Sequence, residues 1–223
     1  MLRTSNGRPG AGGEPLVQTA LAERPLDPRR RILDALVQTV YERGYDRTTV
    51  ERTLQLADVP AEVFDEHFHD KEDCFVQAID EIIGEAECIV LAQFTQQMPW
   101  AERVRVSLSA LLWALAANPQ AARVAIVESL GAGAAASERY RSALSIFVPL
   151  LEEGMPHAAY SQHLPPQTSE AIVGGIAAIV HRRVLEHRTH ELPELIPDIV
   201  YFALLPYLGH HRAQRVARTP VAV

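Results

Sequence analysis

Apolar residues recur at helical spacing along almost the whole chain after residue 26. Ile32, Leu36 and Val40 stand four apart with Leu33, Val37 and Tyr41 beside them, the stripe a helix needs to bury one face. Asp27 and Pro28 supply an N-cap and a first-turn residue and Gly44 a stop, so the first helix fills the space between. Thr48 and Glu51 have capping-box spacing and predict a short helix to about Ala57. Pro60 opens a third, carrying Val63, Phe64 and Phe68. Asp70 and Asp73 repeat the capping pattern ahead of a long helix through Phe75, Ile79, Ile82, Ile83, Ile89 and Phe94 to about Gln97.

The remainder has the same grammar. Pro99 opens a helix through Trp113 to Ala117, and Asn118 with Pro119 caps another to Leu130, broken by the Gly131 to Gly133 stretch. A helix follows from about Ala135 to Glu153, then a loop from Pro156 to Pro166. Pro166 and Gln167 lead into a helix to about His187, and Pro193 opens the last, ending near Gly209. No segment alternates between hairpin-type turns, so the pattern predicts an all-α fold of about nine helices without a repeat of fixed period. Residues 1–26, rich in Gly, Pro and Arg, read as a mobile arm with one short helical piece around Leu16 to Leu21.

Composition narrows this picture. With 223 residues and 48 % hydrophobic side chains, the chain can bury roughly 70 % of its unfolded surface without staples. Cys74 and Cys88, its two cysteines, cannot supply a disulfide framework. Met1 to Gly13 lacks an apolar h-region, and the runs Ala171 to Val180 and Ile196 to Leu208 are short or interrupted by Pro197, Asp198 and Pro206. A cytoplasmic protein without a membrane segment is expected. His67 with His69, and His187 with His190, lack the further ligands a metal site needs. No Gly-x-Ser-x-Gly elbow, Gly-rich phosphate loop or His-Glu-x-x-His pair is present, so no catalytic residue, metal or cofactor is expected.

The informative cluster lies between Arg29 and Phe75. A helix, a tight turn and a second short helix can lay that second helix in a DNA major groove. Ile32-Leu33, Gly44-Tyr45, Thr48-Thr49-Val50, Ala57 with Val59, Phe64 with His67-Phe68, and Lys71-Glu72 together resemble the TetR family of tetracycline-repressor-like regulators. The resemblance implies a three-helix DNA-binding domain over 27–74 and a ligand-binding and dimerisation domain over 75–209, with a tail over 210–223. It also implies a homodimer on a palindromic duplex site, with a small-molecule effector moving the two heads. By the match, Thr48, Thr49 and Lys71 are phosphate contacts, and His67 stands near the backbone or packs on Phe68. Phe94, Trp113, Tyr140, Phe147 and Met155 fall on the helices where family ligands bind, or serve as core.

Charge cuts against a simple version of that reading. The chain carries a net charge of −7. Residues 28–74 hold seven basic and eleven acidic side chains, although phosphate neutralisation supplies most non-specific DNA affinity. Where the family commonly has serine, a small residue and tyrosine, this sequence has Pro60, Glu62 and Asp65, with Glu66 adding a third carboxylate. Asp58 replaces the turn glycine, and Thr53 and Leu54 fill slots usually held by isoleucine and alanine. A carboxylate about 6 Å from a phosphate costs on the order of 1 kcal/mol at an effective dielectric of about 40, while one such as Glu62 can instead accept from cytosine N4. Arg29, Arg30 and Arg31, with Arg3 and Arg8 on the arm, are the candidate compensation. Two functions stay open: a ligand-responsive DNA-binding regulator, probably of repressor type by the family pattern, or a TetR-fold ligand-binding or protein-interaction dimer.

Ile172, Ile176 and Ile179 with Gly174-Gly175, and Ile199, Phe202 and Leu205, give apolar faces on the last two helices. Such faces can form a self-complementary four-helix interface about a two-fold axis, or close the monomer core.

Overall fold

Two groups of buried side chains organise the chain, and the stripes that predict the helices supply both. The structure, a computed structural model, describes residues 27–93, 97–158 and 164–219, and every regular element among them is helical. Nine helices follow in order: α1 Pro28–Arg43, α2 Val50–Ala57, α3 Ala61–His67, α4 Lys71–Gln93 and α5 Trp100–Ala117; then α6, which begins as Pro119–Arg123, widens to a π-helix over Val124–Glu128 and closes with Ser129–Gly131; then α7, Ala134–Ser145 continued by Phe147–Glu152, α8 Thr168–Leu185 and α9 Ile196–Ala217. The arm over 1–26, with Arg3 and Arg8, lies outside the described residues, as does Phe94.

The first core joins Ile32, Leu36 and Val40 of α1 to Leu54, Phe64, Phe68, Phe75 and Ile79. Each such side chain contributes about 1.5–3 kcal/mol on burial, which is how the short helices α2 and α3 persist on α1 and α4. The second core joins α5, α8 and α9 through Val104, Leu112, Val180, Val200, Leu204 and Tyr207. Trp100 stacks edge-on against Tyr207, 5.3 Å between ring centres, and donates Nε1–H to the Leu150 carbonyl at 2.8 Å. A Cβ on Gly154 would stand 2.2 Å from the Trp100 ring, so this close approach requires glycine. By length and composition alone one segment, 189–217, could cross a membrane, yet Val200, Ala203, Leu204 and Tyr207 on it are fully buried in the second core.

Three local expectations need correction. The cap of α2 is Thr49, which accepts from the Arg52 N–H, while the Thr48 hydroxyl turns back to the Gly44 carbonyl. The helix expected over 135–153 bends at Ile146, because Pro149 has no N–H to offer the Ser145 carbonyl. The last helix does not end at Gly209: the chain turns there with φ 69° and ψ 169°, then runs helically to Ala217. Glycine allows that turn without a Cβ penalty, and Ala213 and Ala217 beyond it are buried, so residues 210–217 are core-bound helix rather than tail.

Candidate nucleic-acid interface and ligand cavity

The α2–α3 pair stands over α1 as a helix-turn-helix. α2 stops because Asp58 enters the left-handed region, φ 52° and ψ 52°, and the Val59 N–H returns to the Leu54 carbonyl at 3.2 Å, a Schellman-type closure. Asp is among the few side chains that tolerate this conformation. Arg31 steadies the turn, donating Nη2–H to the Asp58 carbonyl at 2.9 Å. Glu62, Asp65, Glu66 and His67 of α3 are exposed, and the three carboxylates carry no ion pair among the described residues.

The basic residues expected at phosphates are largely committed elsewhere, which corrects that part of the sequence reading. Arg29 pairs with Glu81 at 2.6 Å, reaches Gln77 at 2.8 Å and covers the Phe68 ring. Arg30 bridges Asp34 and Glu81 at 3.0 and 2.7 Å. Lys71 donates to the Tyr45 and Thr48 carbonyls at 3.1 Å each, its Nζ 4.1 Å from the Tyr45 ring centre. It therefore braces the α1–α2 turn from the start of α4. Thr48 is 2 % exposed, leaving no hydroxyl for a ligand. Thr49, Glu62 and His67 remain on the surface, and the His67 ring meets Phe68 edge-on. The cations that sequence reasoning passed over are Arg43 and Arg52, both exposed and without an ion pair among the described residues, with Arg47 between them donating Nε–H to the Arg43 carbonyl. They stand at the end of α1, in the turn and in the first turn of α2. The available signal was their clustering at helix ends.

Glu128, at the end of the π-helical stretch, ties the head to the body. Its Oε2 accepts from the Tyr45 N–H at 3.1 Å and its Oε1 meets Arg123 at 3.2 Å. Tyr45 in turn packs on Phe75, 4.6 Å between rings. Along the same stretch Val124 enters the first core and Ile126 the second. π-Helical turns recur at functional positions, and here one element touches both halves.

Beside Ile126 is a cavity of about 150 Å³, walled by α4, α5, α6, α7 and α8 with Ala203 of α9. Tyr140 and Phe147, expected at a ligand site, line it. Trp113 and Met155 do not: Val104, Leu108, Leu111 and Leu115 form the cavity face of α5, and Trp113 projects from the opposite side at 56 % exposure. Met155 packs against the second core. The expectation for these two fails on helical phase, which sequence spacing alone does not orient.

The faces expected between subunits divide similarly. Ile172 and Ile199 are buried within the chain, and Ile176 lines the cavity, so these three belong to the monomer. Ile179 and Phe202 are each 42 % exposed, and Leu185 joins them. Gly174 lies open, and Gly175 lies under the Phe202 ring, 3.2 Å from where its Cβ would be.

Solved structures of similar shape place this architecture. The fatty acid degradation regulator FadR from Bacillus halodurans superposes with a TM-score of 0.71 at 22 % identity, covering 82 % of this chain and 97 % of that one. FadR from Bacillus subtilis, solved with stearoyl-CoA, gives 0.68 at 21 % identity over 82 % and 99 % of the two chains. A tetR-family regulatory protein from Rhodococcus RHA1 gives 0.65 at 19 % identity over 82 % and 98 %. The fold is the TetR fold. No family model matches the sequence and no curated protein matches it, so the likeness to TetR regulators is one of architecture.

Proposed function

We propose that this protein is a non-catalytic, ligand-responsive transcriptional regulator that binds duplex DNA as a homodimer and leaves its operator when an effector fills the cavity. The observation that carries this reading is the shared strut α6. It borders the cavity through Ala125 and Ile126 and holds the α1–α2 turn through Glu128 and Tyr45, so a change in cavity shape reaches the helix-turn-helix directly. On this reading Thr49, Arg43, Arg47 and Arg52 meet phosphates, Glu62 faces base edges, and residues 27–74 form the DNA-binding domain. The body dimerises through Ile179, Phe202 and Leu185 about a two-fold axis that spaces two equivalent heads. The TetR fold supports this by analogy.

A second reading has its own observation. Arg29, Arg30 and Arg31 are engaged by carboxylates and by the Asp58 carbonyl, while Glu62, Asp65 and Glu66 stand unpaired on α3. That is the surface of a TetR-fold interaction or ligand-binding dimer that has left DNA. Selection of binding sites from random duplex DNA at two salt concentrations separates them. A reproducible palindrome whose affinity falls steeply with salt supports the regulator, and the absence of any enrichment at low salt supports the interaction dimer.

A further inference from the structure

Resting on the regulator reading for its consequence but not for its chemistry, we propose that the cavity takes an uncharged, largely apolar molecule. One hydrogen-bonding group of that molecule meets the Tyr140 hydroxyl, and fatty carboxylates and acyl-CoA thioesters are rejected.

The walls supply the argument. Ile83, Val90, Leu108, Ile126, Phe147 and Val180 are typical of the lining, and no Lys, Arg or His belongs to it. Three polar side chains reach the cavity: Glu87, Ser107 and Tyr140. The Ser107 hydroxyl is spent on the Val90 carbonyl at 3.2 Å. Glu87 Oε1 lies 3.5 Å from Arg139 Nη1, and that guanidinium is also paired with Asp80, so the cation beside the cavity is shared by two carboxylates. The Tyr140 hydroxyl makes no hydrogen bond among the described residues, and burial pushes its ionisation up. It is a neutral donor and acceptor at pH 7.

A carboxylate or phosphate entering this space loses its hydration, gains no cation and approaches Glu87. Desolvating an unpaired ion costs several kcal/mol even after relaxation. An alcohol, ketone or ester satisfies Tyr140 instead, and the remaining surface asks only for hydrocarbon. A cavity of about 150 Å³ is the scale that takes up one small apolar molecule.

The test is calorimetric titration of the full chain at pH 7 with four probes that share one eight-carbon chain: 1-octanol, octanoate, octylammonium and octanoyl-CoA. 1-Octanol is expected to bind at least about tenfold tighter than the other three, given the desolvation penalty of their charges. Tyr140→Phe should weaken 1-octanol by about three- to tenfold, the worth of one net hydrogen bond, with an unchanged circular dichroism spectrum. Ala177→Phe, which fills the cavity, should abolish binding. Should that variant fail to fold, Tyr140→Phe carries the comparison because it removes a single atom.

Octanoate or octanoyl-CoA binding as tightly as the alcohol overturns the inference, as does tighter binding of octylammonium at Glu87. Binding of none of the four, or a silent Tyr140→Phe, overturns it equally. Adding 1-octanol to a DNA-bound sample distinguishes the two readings. Binding without any change in DNA affinity leaves the cavity chemistry standing and removes the ligand-responsive regulator. DNA release by octanoyl-CoA does the reverse.

Discussion

Asp58 holds the α2–α3 turn in a conformation that glycine adopts without strain. Arg31 binds its carbonyl, while the carboxylate lies 3.5 Å from that guanidinium and is almost fully exposed. Asp58→Gly therefore keeps the useful contact and relieves the strain. It should stabilise the protein by about 0.5–1 kcal/mol, raising Tm by about 1–4 °C for a chain of this size; a lower Tm in a thermal melt counts against this account of the turn. The two thiols make a second contrast at this scale. Cys74 is buried, and burial, helped by Asp73, pushes its ionisation up to about 12, whereas Cys88 is exposed. Since the thiolate is the reactive form, one thiol per chain should react with a disulfide reagent in native buffer and two in denaturant. Two fast-reacting thiols in native buffer would mean that α4 opens.

Among the elements, α4 is the one whose start is written most fully in its side chains. The Asp70 carboxylate accepts from the Asp73 N–H at 2.9 Å, and the Asp73 carboxylate reaches back to the His69 N–H at 2.9 Å and to Gln77. The His69 N–H, then Gln77, hold the Asp73 carboxyl below the usual carboxylate range. A carboxyl lowered on folding contributes stability above its unfolded value, near 3.9, and that contribution is lost as pH falls through the folded value. The stability difference between wild type and Asp73→Asn, from urea unfolding, should thus be largest at pH 7 and shrink below about pH 4; a gap independent of pH would assign the loss to packing. α6 and α7 are less legible in sequence. Pro149 marks the bend in α7 once its missing donor is counted, but nothing in Val124–Glu128 announces a π-helical turn, because that widening serves contacts with two cores at once.

For the molecule as a whole, the exposed Ile179, Leu185 and Phe202 form the face on which the proposed dimer depends. Phe202→Glu should shift sedimentation from dimer to monomer at micromolar concentration without loss of helicity, since the side chain is half in solvent within the chain; an unchanged dimer would move the interface elsewhere. What the sequence determined by itself was local: helix starts at Pro28, Pro119 and Asp70, the stripes that fill the two cores, and an all-helical chain with TetR-like spacing around Gly44-Tyr45 and Lys71. These follow from caps, proline geometry and a 3.6-residue period, which act within a few neighbours. Only the tertiary structure decided which side of each stripe meets which neighbour. It turned Arg29 and Arg30 onto Glu81, drew Lys71 under the Tyr45 turn, sent Trp113 outward and Tyr140 inward, and set Glu128 against Tyr45 across 83 residues of sequence. Periodicity fixes a face of a helix without fixing its rotation, and an ion pair forms with whichever opposite charge the packing brings within about 4 Å.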